Sequence, residues 1–114
     1  MITRRHRFHG YGSLKSVYSR GQTARGGLLN LMYARRDPSK AYRVAVVVSR
    51  KVSKSAVVRN RIRRRVFESI RRQSGSIPGG TDLVFTAFGE QLAAIDAAKL
   101  DALVADLLQK TGGQ

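Results

Sequence analysis

Three shortages narrow what this 114-residue chain can do. It has no cysteine, which removes disulfide frameworks and thiolate-held zinc and fits a reducing compartment. It has no long apolar run. Even AVVVS at 45–49 is broken by Arg43 and Arg50, so no window approaches a membrane span. The basic opening MITRRHRFHGYG lacks the apolar core of a signal peptide, and the expected location is the cytoplasm. Negative charge is the third shortage. Seven Asp and Glu face 22 Lys and Arg, a net charge of +15. That imbalance points to nucleic acid first and an anionic membrane second.

Catalytic motifs are missing as well. The carboxylates are Asp37, Glu68, Asp82, Glu90, Asp96, Asp101 and Asp106, and none forms an acid–base or two-metal pair. Asp37 is explained by a turn and Asp96 by a helix cap. The two histidines, His6 and His9, have no carboxylate or thiol nearby to complete a metal site. There is no Gly-x-Ser-x-Gly elbow and no Walker-type phosphate loop. The polypeptide is expected to carry no catalytic site of its own and to hold no metal.

What is present is concentrated between residues 52 and 72, VSKSAVVRNRIRRRVFESIRR. In a helix each residue advances about 100°, so Val58, Ile62, Val66 and Ile70 share one face, with Ser55 and Ser69 beside them. Asn60, Arg64, Glu68 and Arg71 fall opposite. Arg59 and Arg63 flank the apolar stripe on one margin, and Arg61, Arg65 and Arg72 on the other. Phe67 lies off the stripe. A solubilising helix face mixes charge signs. Here ten cations from Arg50 to Arg72 meet one anion, Glu68. Such clustering is self-repulsive unless a counter-charge arrives, and arginine suits two-pronged contacts to phosphate.

The rest of the chain reads as one domain, 1–114, with a single modest core. Residues 1–12 form an extended basic arm. SLKSVYSR, 13–20, makes a short helix with Ser13 as its cap and Tyr18 on its apolar edge. In QTARGGLLNLMYARR, Gly26-Gly27 splits a short strand from a longer one at 28–35. A β-branched run gives a central strand at 42–50. The basic helix spans 55–73, and QSGSIPGG is a loop leading to a strand at 82–88. The last helix carries a stripe of Leu100, Leu103, Val104, Leu107 and Leu108, with Asp96 as N-cap and Gly112 as its stop. The resulting architecture is an α-β sandwich of about four strands with two helices over one sheet face. Tyr18, Tyr33 and Phe8 are candidates for stacking unpaired bases, worth about 1–3 kcal/mol per base, with core placement the alternative for each.

VVVSRKVSKSAVVRNRIRRR, 46–65, resembles the protein subunit of bacterial ribonuclease P, in which a strand ending V-S-[KR]-K-V leads into A-V-x-R-N-R-I-[KR]-R. HRF, LKSVYSRG, LLNLMY, TDLVF and the terminal leucine stripe extend the similarity over nearly the whole chain. The resemblance implies an α+β fold like domain 2 of ribosomal protein S5, in the order α-β-β-β-α-β-α, with a left-handed crossover through the basic helix. That hand runs against the strong right-handed preference of such units. It implies a protein that binds a catalytic RNA and the 5′ leader of precursor tRNA, in a complex that removes the leader. The RNA performs the hydrolysis with Mg²⁺, bound mainly by RNA and substrate.

Transferred by position, Arg59, Asn60, Arg61, Arg63 and Arg64 bind the catalytic RNA, with Lys51 and Lys54 just before them. The cationic run adds Arg50 and Arg65. The implied leader cleft lies between the first helix, the sheet and the basic helix, lined by Tyr18, Met32, Tyr33, Val46 and Val48. One protein per RNA and no membrane contact are expected. Two other readings fit the residues alone: a plain RNA-binding module such as a ribosomal protein of similar fold, and a self-sufficient nuclease, which lacks the carboxylate cluster it would need.

Overall fold

The computed structural model describes residues 21–35, 39, 41–77 and 79–111. The basic arm, the helix expected at 13–20, most of the DPSK turn and the stop at Gly112 lie outside the described residues.

Four strands form one sheet in the order β1 (Gln22–Arg25), β2 (Leu29–Arg35), β4 (Thr81–Ala87), β3 (Arg43–Val47). β1 pairs antiparallel with β2, and β2 antiparallel with β4. β3 runs parallel to β4, and the connection between them contains helix α1 (Ala56–Arg72). After β4 come a 3-10 turn, Glu90–Ala93, and helix α2 (Ala97–Lys110). The Gly-Gly break works as expected. Gly27 takes φ +79°, a left-handed conformation that L side chains rarely adopt. A Cβ on Gly26 would sit 2.6 Å from the Leu29 carbonyl oxygen.

Both described helices pack on one face. The core gathers Leu29 and Leu31 of β2, Val44 and Val46 of β3, and Leu83 and Phe85 of β4. These meet Ile62, Val66 and Ile70 of α1 and Leu100, Val104, Leu107 and Leu108 of α2. The apolar stripes expected for both helices are thus the faces that the fold buries. Phe67, off the stripe, is half-buried and packs against this core.

Most element ends fall within one residue of expectation, but one strand end and one helix cap differ. β3 ends at Val47 rather than continuing to residue 50, because the chain turns: the Val52 N–H donates to the Ser49 carbonyl at 3.1 Å. That turn leaves Arg50 and Lys51 exposed. Asp96 does precede α2, but its carboxylate makes no capping bond; its backbone oxygen accepts from Leu100 N–H at 3.0 Å. Ser55 caps α1, its hydroxyl accepting from the Val58 N–H at 3.3 Å.

Candidate nucleic-acid interface

α1 opens with no acidic residue in its first turn, where the helix dipole would favour one. Instead Arg50, Lys51, Lys54 and Arg59 line a concavity of about 500 Å³ around its N-terminal end. Four cations around the positive pole of a helix repel one another, and an anion relieves all of them together.

The structure sorts the ten cations of the run into two groups. Arg59 donates to the Ser53 and Lys54 carbonyls at 2.9 and 3.1 Å, bracing the loop that leads into α1. Arg63 bonds the Asn60 side chain. Arg71 pairs with Glu68 at 2.8 Å and Arg72 with Asp101 at 2.7 Å. Asp101 also accepts from the Ser69 hydroxyl at 2.6 Å. Arg72 first, and Ser69 second, hold the Asp101 carboxyl below the ordinary carboxylate range. Arg50, Lys51, Lys54, Arg61 and Arg64 are exposed and make no hydrogen bond or ion pair through their side chains among the described residues. Asn60 is exposed beside them.

Arg65 departs from its expected role. It donates to the carbonyl oxygens of Leu92, at 2.7 Å, and Ile95. The margin of α1 that carries Arg65 and Arg72 faces α2, so both guanidinium groups find partners within the fold. The outward cations are Arg64 of the opposite face, Arg61 one turn earlier on this margin, and those of the loop before the helix.

The expected leader cleft needs a larger correction. Val46 and Val48 are 8% and 6% exposed and belong to the core beneath the helices. Tyr33 faces the same way as Leu29 and Leu31, and its hydroxyl donates to Gln22 Oε1 at 3.0 Å, with the Lys110 carbonyl of α2 3.5 Å away. Strand side chains alternate faces, so a cleft on the opposite side is lined by the neighbours of these residues. There the register aligns Asn30 with Thr86 and Met32 with Val84 across β2 and β4, and Ala45 with Val84 and Val47 with Thr86 across β3 and β4. Met32 lies on that face together with Asn30, Ala45, Val47 and Thr86, which the sequence reading does not single out, and Tyr18 lies outside the described residues. The polar members of this face were the available signal, since Asn30, Arg43 and Thr86 share it. At its end Arg43 forms a two-pronged pair with the buried carboxylate of Asp82, at 3.0 and 2.7 Å. Phe88, just past β4, is 56% exposed.

Among the described residues no helix is long and apolar enough to cross a membrane, and no three His, Asp or Glu side chains converge as a metal site.

Comparison with known proteins bears on this geometry. The family model for Ribonuclease P matches residues 2–112. The chain is 33% identical over 105 residues to the ribonuclease P protein component of Brevibacillus brevis, covering 92% of this chain and 79% of that one. It is 37% identical over 97 residues to that of Caldanaerobacter subterraneus, covering 85% and 81%. Among solved structures, the RNase P protein of Staphylococcus aureus superimposes with a TM-score of 0.80 at 17% identity, over 93% of this chain and 94% of that one. The RNase P protein of Thermotoga maritima does so with a TM-score of 0.74 at 25% identity, over 85% and 89%. Sequence, fold and the basic helix agree: the chain belongs to the bacterial ribonuclease P protein family, as a protein component of the ribonucleoprotein endoribonuclease that processes the 5′ ends of tRNA.

Proposed function

We propose that this protein binds the catalytic RNA of ribonuclease P through Arg50, Lys51, Lys54, Asn60, Arg61 and Arg64, one protein per RNA, in the cytoplasm. Arg59 and Arg63 shape that surface while keeping donors for phosphate. The 5′ leader of precursor tRNA runs along the sheet face opposite the two described helices, against Met32, Ala45, Val47 and Thr86, with Tyr18 from the preceding segment as its aromatic neighbour. The RNA carries out the phosphodiester hydrolysis with Mg²⁺. The protein's donor set does not suit that ion, which favours convergent oxygen ligands, and the described acids do not converge. The observation that carries the reading is the group of five exposed cations on and beside α1 whose side chains make no hydrogen bond or ion pair among the described residues.

The cleft assignment has a direct test. Met32→Asp places a carboxylate where leader phosphates pass, and is expected to weaken precursor tRNA binding by the RNA–protein complex about tenfold while leaving mature tRNA binding unchanged. Val46→Ala, on the other face, is expected to lower stability by about 1–3 kcal/mol and to leave the precursor-to-mature ratio unchanged. Equal losses on precursor and mature tRNA with Met32→Asp would overturn the placement of the cleft on this face.

A further inference from the structure

The buried stripe of α1 holds the helix to the core, yet apolar contacts are non-directional and permit small rolls about the axis. Something directional has to fix which side chains face outward. Among the described residues, the contacts of that kind from the middle of α1 to the layer beneath it come from Arg65. Its Nη1 and Nη2 atoms reach two carbonyl oxygens of one short stretch, Leu92 in the 3-10 turn and Ile95 just before α2. The backbone N–H groups of this stretch bond elsewhere, Leu92 to Gly89 and both Ala94 and Ile95 to Gln91. Arg65 thus supplies the donors to the outward-turned oxygens.

Its position in the helix gives this contact leverage. Arg61 is one turn earlier on the same margin, about 40° further from the core, and Arg64 is about 100° round. A roll of α1 toward α2 would press Arg61 against the 3-10 turn and swing Arg64 away from its outward direction. Toward the end of the helix two further side chains of α1 reach α2: the buried Ser69 hydroxyl donates to Asp101 at 2.6 Å, and Arg72, substantially exposed, pairs with the same carboxylate at 2.7 Å.

We propose that Arg65 is a positioning residue for RNA binding: its two-pronged grip on the Leu92 and Ile95 carbonyls fixes the rotation of α1 and so holds Arg61 and Arg64 toward the RNA. The proposal rests on the reading of α1 as the RNA-binding helix. A planar guanidinium spans two acceptors at once, whereas the ammonium of lysine is a point charge that cannot reproduce the fork.

That difference supplies the test. Arg65→Lys, Arg65→Met, Arg61→Ala and Arg64→Ala are titrated against in-vitro transcribed bacterial ribonuclease P RNA over a range of salt concentrations, with urea unfolding of each variant alongside. Positioning predicts that Arg65→Lys and Arg65→Met both weaken affinity about tenfold, the size of one charge-assisted contact, and both lower the salt slope although the first keeps the net charge. It also predicts that Arg61→Ala costs less in the Arg65→Met background than alone. A wild-type slope for Arg65→Lys beside a slope lowered by about one for Arg65→Met would make Arg65 a direct phosphate ligand and overturn the proposal. Reduced urea midpoints with unchanged affinity in both variants would make it merely structural, which overturns it equally. Unchanged slopes for Arg61→Ala and Arg64→Ala would instead remove α1 from the interface, a separate failure.

Discussion

With Arg61 and Arg64 both changed to alanine, the protein is expected to bind catalytic RNA about a hundredfold more weakly near physiological salt, the lower end for two lost charge-assisted contacts. The plot of log affinity against log salt is expected to flatten by about two, one for each phosphate released. The two residues are chosen because they are exposed and unpaired, so their loss disturbs nothing within the described fold. Arg72→Ala is the matched control. It removes one positive charge from the same helix, half of what the double variant loses, but its guanidinium is held by Asp101 at 2.7 Å. That variant should lose some stability and keep the wild-type slope. Titrations of the double variant, Arg72→Ala and the wild type over a range of salt check this, and a slope that falls by about one for Arg72→Ala would show that only net charge matters.

The second large effect concerns the frame that presents α1. Phe85 is fully buried on the central strand, aligned with Leu31 of β2 on one side and Val46 of β3 on the other. Phe85→Ala should cost about 3–5 kcal/mol, from lost transfer energy and the cavity left behind. A domain of this size has about 5–15 kcal/mol in total, so the variant should be much weakened or largely unfolded. Phe88, three residues on and 56% exposed, provides the contrast. Phe88→Ala should change stability by no more than about 0.5 kcal/mol, as surface substitutions generally do. Urea unfolding of the two variants separates them. Equal losses would mean that Phe88 has a packing role that the structure does not show.

These two expectations differ in how legible they were. The helix faces could be read directly, because a period near 3.6 set against dense charge leaves one apolar stripe: Ile62, Val66 and Ile70 are buried, and so is Ser69 beside them. Strand positions were legible too, since Gly26-Gly27 and the β-branched run after residue 42 leave few alternatives. Strand facing was harder. In Arg43-Val44-Ala45-Val46-Val47 most of both faces is apolar, so the choice of Val46 and Val48 for the cleft took the wrong parity. Arg43, Asn30 and Thr86 could have corrected it, because a polar side chain on a half-buried strand marks the face away from the helices. Tyr33 was misleading in another way: its ring packs on the core while its hydroxyl reaches the end of α2, which composition alone does not reveal. The role of Arg65 depends on carbonyls 27 and 30 residues away, which no local pattern encodes.

The division of labour between protein and RNA can be tested most directly by cleavage of precursor tRNA with purified protein stripped of nucleic acid, with bacterial ribonuclease P RNA alone, and with the two together, at a low Mg²⁺ concentration. The expected result is no 5′ cleavage by the protein alone and faster leader removal by the mixture than by the RNA alone. Leader removal by the protein without RNA, or a mixture no faster than the RNA by itself, would contradict it.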